Sequence, residues 1–472
     1  MLRLLLVIAW VISGFSAGHA LLNKRDPRSA LGWIVTCLAL PGLGALFYWI
    51  LGVNRIRTRA RELQEQGQGI HWLNVAASSN MTDEQRFPGS PTSQALIQLS
   101  SAVTRRPLIC GNAVKVLYNG EQTYPAMLDA IRSAEETIFL SSYIFKADRT
   151  GSMFVRELIA AVERGVDVRV LIDAFGQYYA LAKVRHLLEK SGVQLAIFMP
   201  PTLSRSLYLN MRNHRKQLIV DNKCCFTGGM NICDRHLAMD KNNPRRIVDI
   251  HFRFAGPICS QLRDAFMEDW RFAAAEKGNE REWPPAPIAG KACCRGISAG
   301  PNEAHEKLNW ILIGALACAK SRIRIMTPYF IPTRAQLAAI NTASLRGVQV
   351  EILLSEKNNL PYVAWATNAF LFELLEHNVH IYFQPPPFVH SKLLLIDNEY
   401  ALIGSANLDP RSLRLNFEFN VEIFDDETIA ELNCHFDQSR EHSRAVSLEE
   451  MDQRPLPFRL RDSFCKLFSP YL

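Results

Sequence analysis

Apolar residues are crowded at the front of the chain. Leu4 to Leu22 (LLLVIAWVISGFSAGHALL) is a run of about nineteen residues without a formal charge, the helical length of a bilayer core. Asn23-Lys24-Arg25-Asp26-Pro27-Arg28 interrupts it, and a second run, Leu31 to Val53, carries Trp33, Phe47, Tyr48 and Trp49 near its ends and a Pro41-Gly42-x-Gly44 break. The pattern predicts a transmembrane helical hairpin over residues 1–61, with a cleaved signal peptide as the alternative reading of the first run. Arg3 and Arg55, Arg57, Arg59 and Arg61 lie outside the hairpin, against Lys24, Arg25 and Arg28 in its loop. That bias places both ends in the cytoplasm. The arginines are a topology signal first, and could also hold the downstream domain against anionic lipid.

Residues 62–106 are polar and rich in Ser, Gln and Thr, a connector with room for one short helix. Beyond Pro107 the pattern changes to helices alternating with short β-branched strands. A helical stretch, Ala126 to Glu135, precedes a buried-strand pattern, Ile138 to Phe145 (IFLSSYIF); helical Met153 to Glu163 then leads into Arg164-Gly165-Val166-Asp167-Val168-Arg169-Val170-Leu171-Ile172-Asp173. The order recurs about 180 residues later: helical Lys307 to Lys320, the strand Ile323 to Phe330 (IRIMTPYF), and Arg346-Gly347-Val348-Gln349-Val350-Glu351-Ile352-Leu353-Leu354-Ser355. The fold class is therefore α/β, with two tandem lobes related by a pseudo-twofold axis, at 107–275 and 304–472. Pro284-Pro285-Ala286-Pro287 and several glycines make 276–303 the interlobe linker.

Composition narrows the partners without choosing among them. Lys plus Arg number 53 against 46 Asp plus Glu, a net +7 that suits phospholipid headgroups or nucleic acid. The 11 cysteines include the adjacent pairs Cys224-Cys225 and Cys293-Cys294, which form neither a regular disulfide framework nor a zinc-site spacing, so a reducing compartment is expected.

The candidate chemistry is one string written twice. His214-x-Lys216, Asp221 and Gly228-Gly229-Met230-Asn231 are matched residue for residue by His390-x-Lys392, Asp397 and Gly404-Ser405-Ala406-Asn407. Strand alternation puts each His and Lys on one face, and the return from the turn after each Asp brings the Asn back toward it. Such a cluster suits a phosphate: Lys and Asn donate to nonbridging oxygens, and His supplies a nucleophile or a proton. One copy could be a surface histidine and a solvated lysine. Two copies with equal spacing at the same repeat boundary are not coincidence.

These residues resemble the paired HxKxxxxD motifs of the phospholipase D superfamily, and the full arrangement resembles the bacterial cardiolipin synthases within it. The resemblance includes the hairpin with LFYWILG and the closing Leu467-Phe468-Ser469-Pro470-Tyr471-Leu472. It implies two lobes meeting at one active site, a phosphohistidine intermediate, and no metal or other cofactor. Position by position it implies His214 and His390 as nucleophile and general acid/base, with Lys216 and Lys392, Asn231 and Asn407 on the phosphate. Ser405 stands among the second set of phosphate ligands where the first has Gly229, and Asp221 and Asp397, though part of the catalytic signature, organise its turns. An acidic residue orients each imidazole, Glu418 fitting His390 and Asp249 fitting His214.

The expected partners are phosphatidylglycerol, other anionic phospholipids and the membrane, with no nucleic acid, and the expected place is the bacterial inner membrane with the lobes on its cytoplasmic side. Leu203 to Met211 (LSRSLYLNM) could line the lipid's path or be an ordinary packing loop. A lipid hydrolase would use the same residues with water as acceptor. A nuclease of the same motif leaves the two apolar runs without purpose, and a silent membrane scaffold leaves both intact motifs without one.

Overall fold

The computed structural model describes residues 2–24, 27–52, 87, 89–176, 183–199, 211–274, 283–300 and 306–469. The chain divides into two compact units, Met1–Leu63 and Gln64–Leu472.

In the first unit, helix α1 (Leu2–Asn23) is apolar on every side and, at 1.5 Å per residue, long enough to cross a bilayer. Among the described residues it is the one helix of that length and character. The expected second span takes a different form. Helix α2 (Pro27–Ala39) stops before Pro41; Gly42 then adopts φ 82, and α3 (Leu43–Phe47), extended by a wider turn over Tyr48–Gly52, runs back along α2. Gly44 is where the backbones meet, since a Cβ there would lie 2.1 Å from the carbonyl oxygen of Thr36. Arg25 and the four arginines at 55–61 lie outside the described residues, as does most of the expected connector. Its last part forms helix Pro91–Thr104, capped by Ser90.

The second unit holds both lobes. The first contributes β1 (Ile109–Tyr118), β2 (Thr137–Ser142), β3 (Asp167–Asp173), β4 (Gln194–Phe198), β5 (Arg212–Asn213), β6 (Gln217–Val220), β7 (Cys224–Gly228), β8 (Ile247–Val248) and β9 (Ile250–Ala255). The second contributes β10 (Ala292–Ala299), β11 (Arg322–Met326), β12 (Gln349–Ser355), β13 (His380–Gln384), β14 (Phe388–Val389), β15 (Leu393–Ile396), β16 (Tyr400–Gly404), β17 (Asn416–Phe424) and β18 (Arg444–Val446). The strand orders β1-β9-β7-β6-β2-β3-β4 and β10-β17-β16-β15-β11-β12-β13-β18 are the same but for the extra edge strand β18. Helices such as Arg149–Glu163 and Pro361–Leu375 bury their apolar faces in two separate cores, one per lobe.

Two features differ from the sequence expectation. The strands expected to reach Phe145 and Phe330 stop at Ser142 and Met326, because the Ser142 and Thr327 hydroxyls turn back to donate to the Ile144 and Tyr329 carbonyls. Ala292–Ala299, expected as linker, is the buried strand that unites the sheets, antiparallel to β1 on one side and β17 on the other. Burial on both faces removes the alternation that would have marked it. Beside this seam Cys110 and Cys293 are bonded, and the other nine cysteines are free thiols.

Candidate active site

Two short parallel ladders cross between the lobes. Arg212 and Asn213 of β5 align with Asn416 and Phe417 of β17, and Phe388 and Val389 of β14 align with Ile247 and Val248 of β8. Each ladder ends one residue before a motif histidine. The His214 amide donates to the Phe417 carbonyl at 2.9 Å, and the His390 amide to the Val248 carbonyl at 2.7 Å. The next residues on the facing strands are Glu418 and Asp249. His214 Nδ1 lies 3.0 and 3.1 Å from the Glu418 oxygens, and His390 Nδ1 lies 2.8 Å from Asp249 Oδ2.

These distances exchange the partners expected from the sequence. Glu418 pairs with His214, not His390, and Asp249 pairs with His390, not His214. Each histidine follows a two-residue strand that pairs with a strand of the opposite lobe, β5 with β17 and β14 with β8, so the carboxylate beside it comes from that lobe.

Below the rings, Lys216 donates to the His214 carbonyl at 2.6 Å, and Lys392 donates to the His390 carbonyl. Burial lowers both ammonium pKa values. Lys216 falls to about 7, against the pull of Glu418 and with the push of Lys392, and Lys392 falls to about 8 although Asp249 and Glu418 oppose it. Burial also depresses His214 despite Glu418, and takes His390 to about 3, with Lys392 reinforcing it. For the carboxylates burial acts the other way, but His214 and Lys216 hold Glu418, and His390 and Lys392 hold Asp249, below the ordinary range. At neutral pH the resting site therefore holds two carboxylates and two neutral imidazoles. In that state each imidazole donates its Nδ1–H to a carboxylate as a hydrogen bond and keeps an Nε2 lone pair for a reacting atom.

Residues 127–270 and 312–440 match the family described as "Cardiolipin synthase, PLD-like domain", and residues 4–52 match "Phospholipase_D-nuclease N-terminal". A cardiolipin synthase of Geobacillus kaustophilus is 30% identical over 96% of this chain and 90% of its own. A cardiolipin synthase A of Pseudomonas fluorescens is 31% identical over 97% of this chain and 95% of its own. The chain belongs to the cardiolipin synthase family of phospholipase D-like proteins. The solved phosphatidylserine synthase of Haemophilus influenzae superposes with a TM-score of 0.62 at 17% identity, covering 81% of this chain and all of its own, which shows the shared two-lobe fold.

Not every residue implied by the family signature reaches the cluster. Asp221 accepts from the amides of Glu135, Glu136 and Thr137, and Asp397 from those of Lys320, Ser321 and Arg322. They stand at the far ends of β6 and β15, where they pin the hairpin turns to the starts of β2 and β11. Ser405, expected on the phosphate, instead donates to Glu418 Oε2 at 2.5 Å and accepts from the Phe419 amide. A hydroxyl cannot stand at the equivalent Gly229, where a Cβ would lie 2.4 Å from Asp249 Oδ1. The two half-sites thus use different carboxylate supports: a longer acid braced by serine, and a shorter acid packed against bare backbone.

The asparagines are held from behind. Asn231 Oδ1 accepts from the Ile144 amide at 3.1 Å, which leaves its NH2 for other acceptors. Asn407 differs, since its Nδ2 donates to the Ser412 hydroxyl at 3.2 Å.

Several residues went unnoticed in the sequence. His236 accepts the Asn231 amide on Nε2 and sets Nδ1 3.9 Å from Asp249 Oδ2, its buried ring lowered to about 4. Tyr143 lays its ring 5.0 Å from that of His214 and 5.6 Å from Lys216 Nζ. Asp173 and Ser355, at equivalent strand ends, accept the amides of Asn213 and Val389 just before the two histidines. Only this last pair had a signal, the matched ends of the repeated helix-to-strand passage.

Proposed function

We propose that this chain is a membrane-attached phosphatidyltransferase that makes cardiolipin and glycerol from two molecules of phosphatidylglycerol. The observation that carries this reading is the crossed pairing of each histidine with a carboxylate of the opposite lobe, which makes one buried site out of two half-sites. Family membership favours transfer over a nuclease.

In the proposed sequence His214 Nε2 attacks phosphorus while Glu418 holds its Nδ1 proton and stabilises the charge growing on the ring. The bond from phosphorus to the glycerol headgroup oxygen breaks, and His390 protonates that oxygen, giving glycerol and a phosphatidyl-histidine. His390 is neutral at rest, so its proton is taken up as the anionic phosphodiester binds. His390 then removes a proton from the terminal hydroxyl of a second phosphatidylglycerol, whose oxygen displaces His214. One phosphodiester replaces another, so no nucleotide is consumed. Lys216, Lys392, Asn231 and Asn407 hold the equatorial oxygens. For Asn407 this role requires its amide to turn from the orientation in the structure, where Nδ2 donates to the Ser412 hydroxyl.

A second reading exchanges the histidines. It is favoured by His390, the ring taken down to about 3 and so the more surely neutral at rest. The expected lipid path at Leu203 to Met211 lies outside the described residues, apart from Met211, which is buried. Membrane attachment through α1, with the lobes on the cytoplasmic side, keeps the enzyme on the bilayer that holds its lipid substrates.

Purified protein given phosphatidylglycerol should release cardiolipin and glycerol in equal amounts, with and without a chelator. Phosphatidic acid as the main product would make the enzyme a hydrolase, and loss of turnover in chelator would contradict metal-free chemistry.

A further inference from the structure

We propose that the second apolar run enters the bilayer from one face and leaves by the same face, so that the chain crosses the membrane only once. The contacts of the run with α1 measure its depth. Where α2 ends, Gly42 donates to Ser13 Oγ at 2.9 Å, and its Cα faces the Ala9 side chain. After the reversal the contacts climb back along α1: Trp49 donates to Ser16 at 2.9 Å, Tyr48 meets His19 at 2.7 Å, and Lys24 reaches the carbonyl of Gly52. Tyr48 also packs on Trp33 of the descending helix, with ring centroids 5.5 Å apart. A single second crossing would carry Gly52 to the level of Leu2. Instead it returns beside Lys24.

The reversal point lies about ten residues below the end of α1, or about 15 Å along a helix, half of a hydrocarbon core about 30 Å thick. Backbone that turns at such a depth must have its polar groups satisfied within the protein. Ser13 takes the Gly42 amide, and the amides of Leu40, Gly44 and Leu46 find the carbonyls of Thr36, Leu40 and Gly42. The outer surface carries Leu31, Val35, Leu38, Leu43, Leu46 and Ile50, all exposed and suited to acyl chains. Gly44 permits the close return, and Pro41 and Gly42 permit the turn.

The consequence is electrostatic. In a two-crossing hairpin the basic residues divide, with Lys24, Arg25 and Arg28 on one face and Arg3, Arg55, Arg57, Arg59 and Arg61 on the other. With the reversal, Lys24, Arg25, Arg28 and the four arginines that come after Gly52 in sequence all fall on one face, against Arg3 on the other. A modest bias becomes a strong one and assigns the shared face, together with the lobes beyond the polar connector, to the cytoplasm. The Leu2 end of α1 then lies on the outer face, opposite to the expectation that both ends are cytoplasmic.

The test is independent of the catalytic reading. The full chain, carrying an N-terminal epitope tag behind a protease site, is expressed in cells whose spheroplasts are treated with protease before and after lysis. Cardiolipin formation by the tagged chain serves as a separate readout. The expected result is loss of the tag from intact spheroplasts, with the lobes digested only after lysis. Equal protection of tag and lobes, or equal digestion of both before lysis, places them on one face and overturns the proposal.

Discussion

His214 and Glu418 stand 204 positions apart in sequence and on different lobes, yet the ring nitrogen of one lies 3.0 Å from a carboxylate oxygen of the other. Asp249 and His390 repeat the relationship in the opposite direction at 2.8 Å. A lobe separated from its partner would keep its histidine and lysine and lose the carboxylate that fixes the ring. On the proposed mechanism the duplication is then a catalytic requirement as well as a structural one.

The crossed pairing predicts which ring responds to which acid. Glu418→Gln removes the charge that opposes the depression of His214, so the His214 pKa should fall further while that of His390 stays unchanged. Asp249→Asn should do the reverse. Histidine-labelled nuclear magnetic resonance of the full chain reads both rings, and kcat should drop about 10²- to 10⁴-fold in either variant. A change at His390 in Glu418→Gln would restore the pairing expected from chain proximity.

Ser405 acts through Glu418. Ser405→Ala should remove the hydroxyl donor to Glu418 Oε2 and leave His214 as its remaining partner, at a cost of about 1–3 kcal/mol, and so lower kcat about tenfold or more with KM nearly unchanged. A rise in KM at constant kcat would make the hydroxyl a phosphate ligand instead. Gly229→Ser should be the more damaging change, because its side chain would collide with Asp249.

The lysines set the alkaline side of the pH profile. Below about 7 for Lys216 and about 8 for Lys392 they are charged and attract the phosphodiester; above those values the charge is lost. Since kcat/KM reports the free enzyme, it should decline as pH rises through 7 to 8, well before ordinary lysines titrate. On the acid side, burial lowers the pKa of His214, so the ring stays neutral and nucleophilic below the usual histidine range. A kcat/KM flat from pH 7 to 9 would contradict buried, weakened ammonium groups.

Asp221 and Asp397 should behave as structural residues. Asp221→Ala releases three backbone amides from their acceptor and should destabilise the fold by about 1–3 kcal/mol, seen as a lower Tm, while the folded fraction keeps its kcat. Lost kcat at unchanged Tm would return this residue to the chemistry.

Much of this was legible in the sequence, and the limits are physical. The repeated strand and helix pattern exposed both lobes, because buried β-branched runs and helical spacing are local signals. The doubled His-x-Lys string exposed the site, because its spacing survives in each copy. The partners of the histidines were not legible, since they depend on which strand edge each short ladder joins. The strand Ala292–Ala299 was hidden because both its faces are buried, and the role of Ser405 because a hydroxyl can serve a phosphate or a carboxylate equally well. The reversal after Pro41 was announced only as a break; Gly44 shows its purpose once its Cβ position is seen to collide with Thr36.

In the proposed mechanism a histidine of this paired site carries the lipid covalently between donor and acceptor. The most direct test of that step is to mix the enzyme with a limiting amount of labelled phosphatidylglycerol, quench within a turnover, and locate the label by mass spectrometry. A phosphatidyl group is expected on the His214 peptide of the wild type, and none in His214→Ala. Label on the His390 peptide would select the exchanged order of the two rings. Cardiolipin formed at full rate with neither histidine ever labelled would contradict covalent transfer altogether.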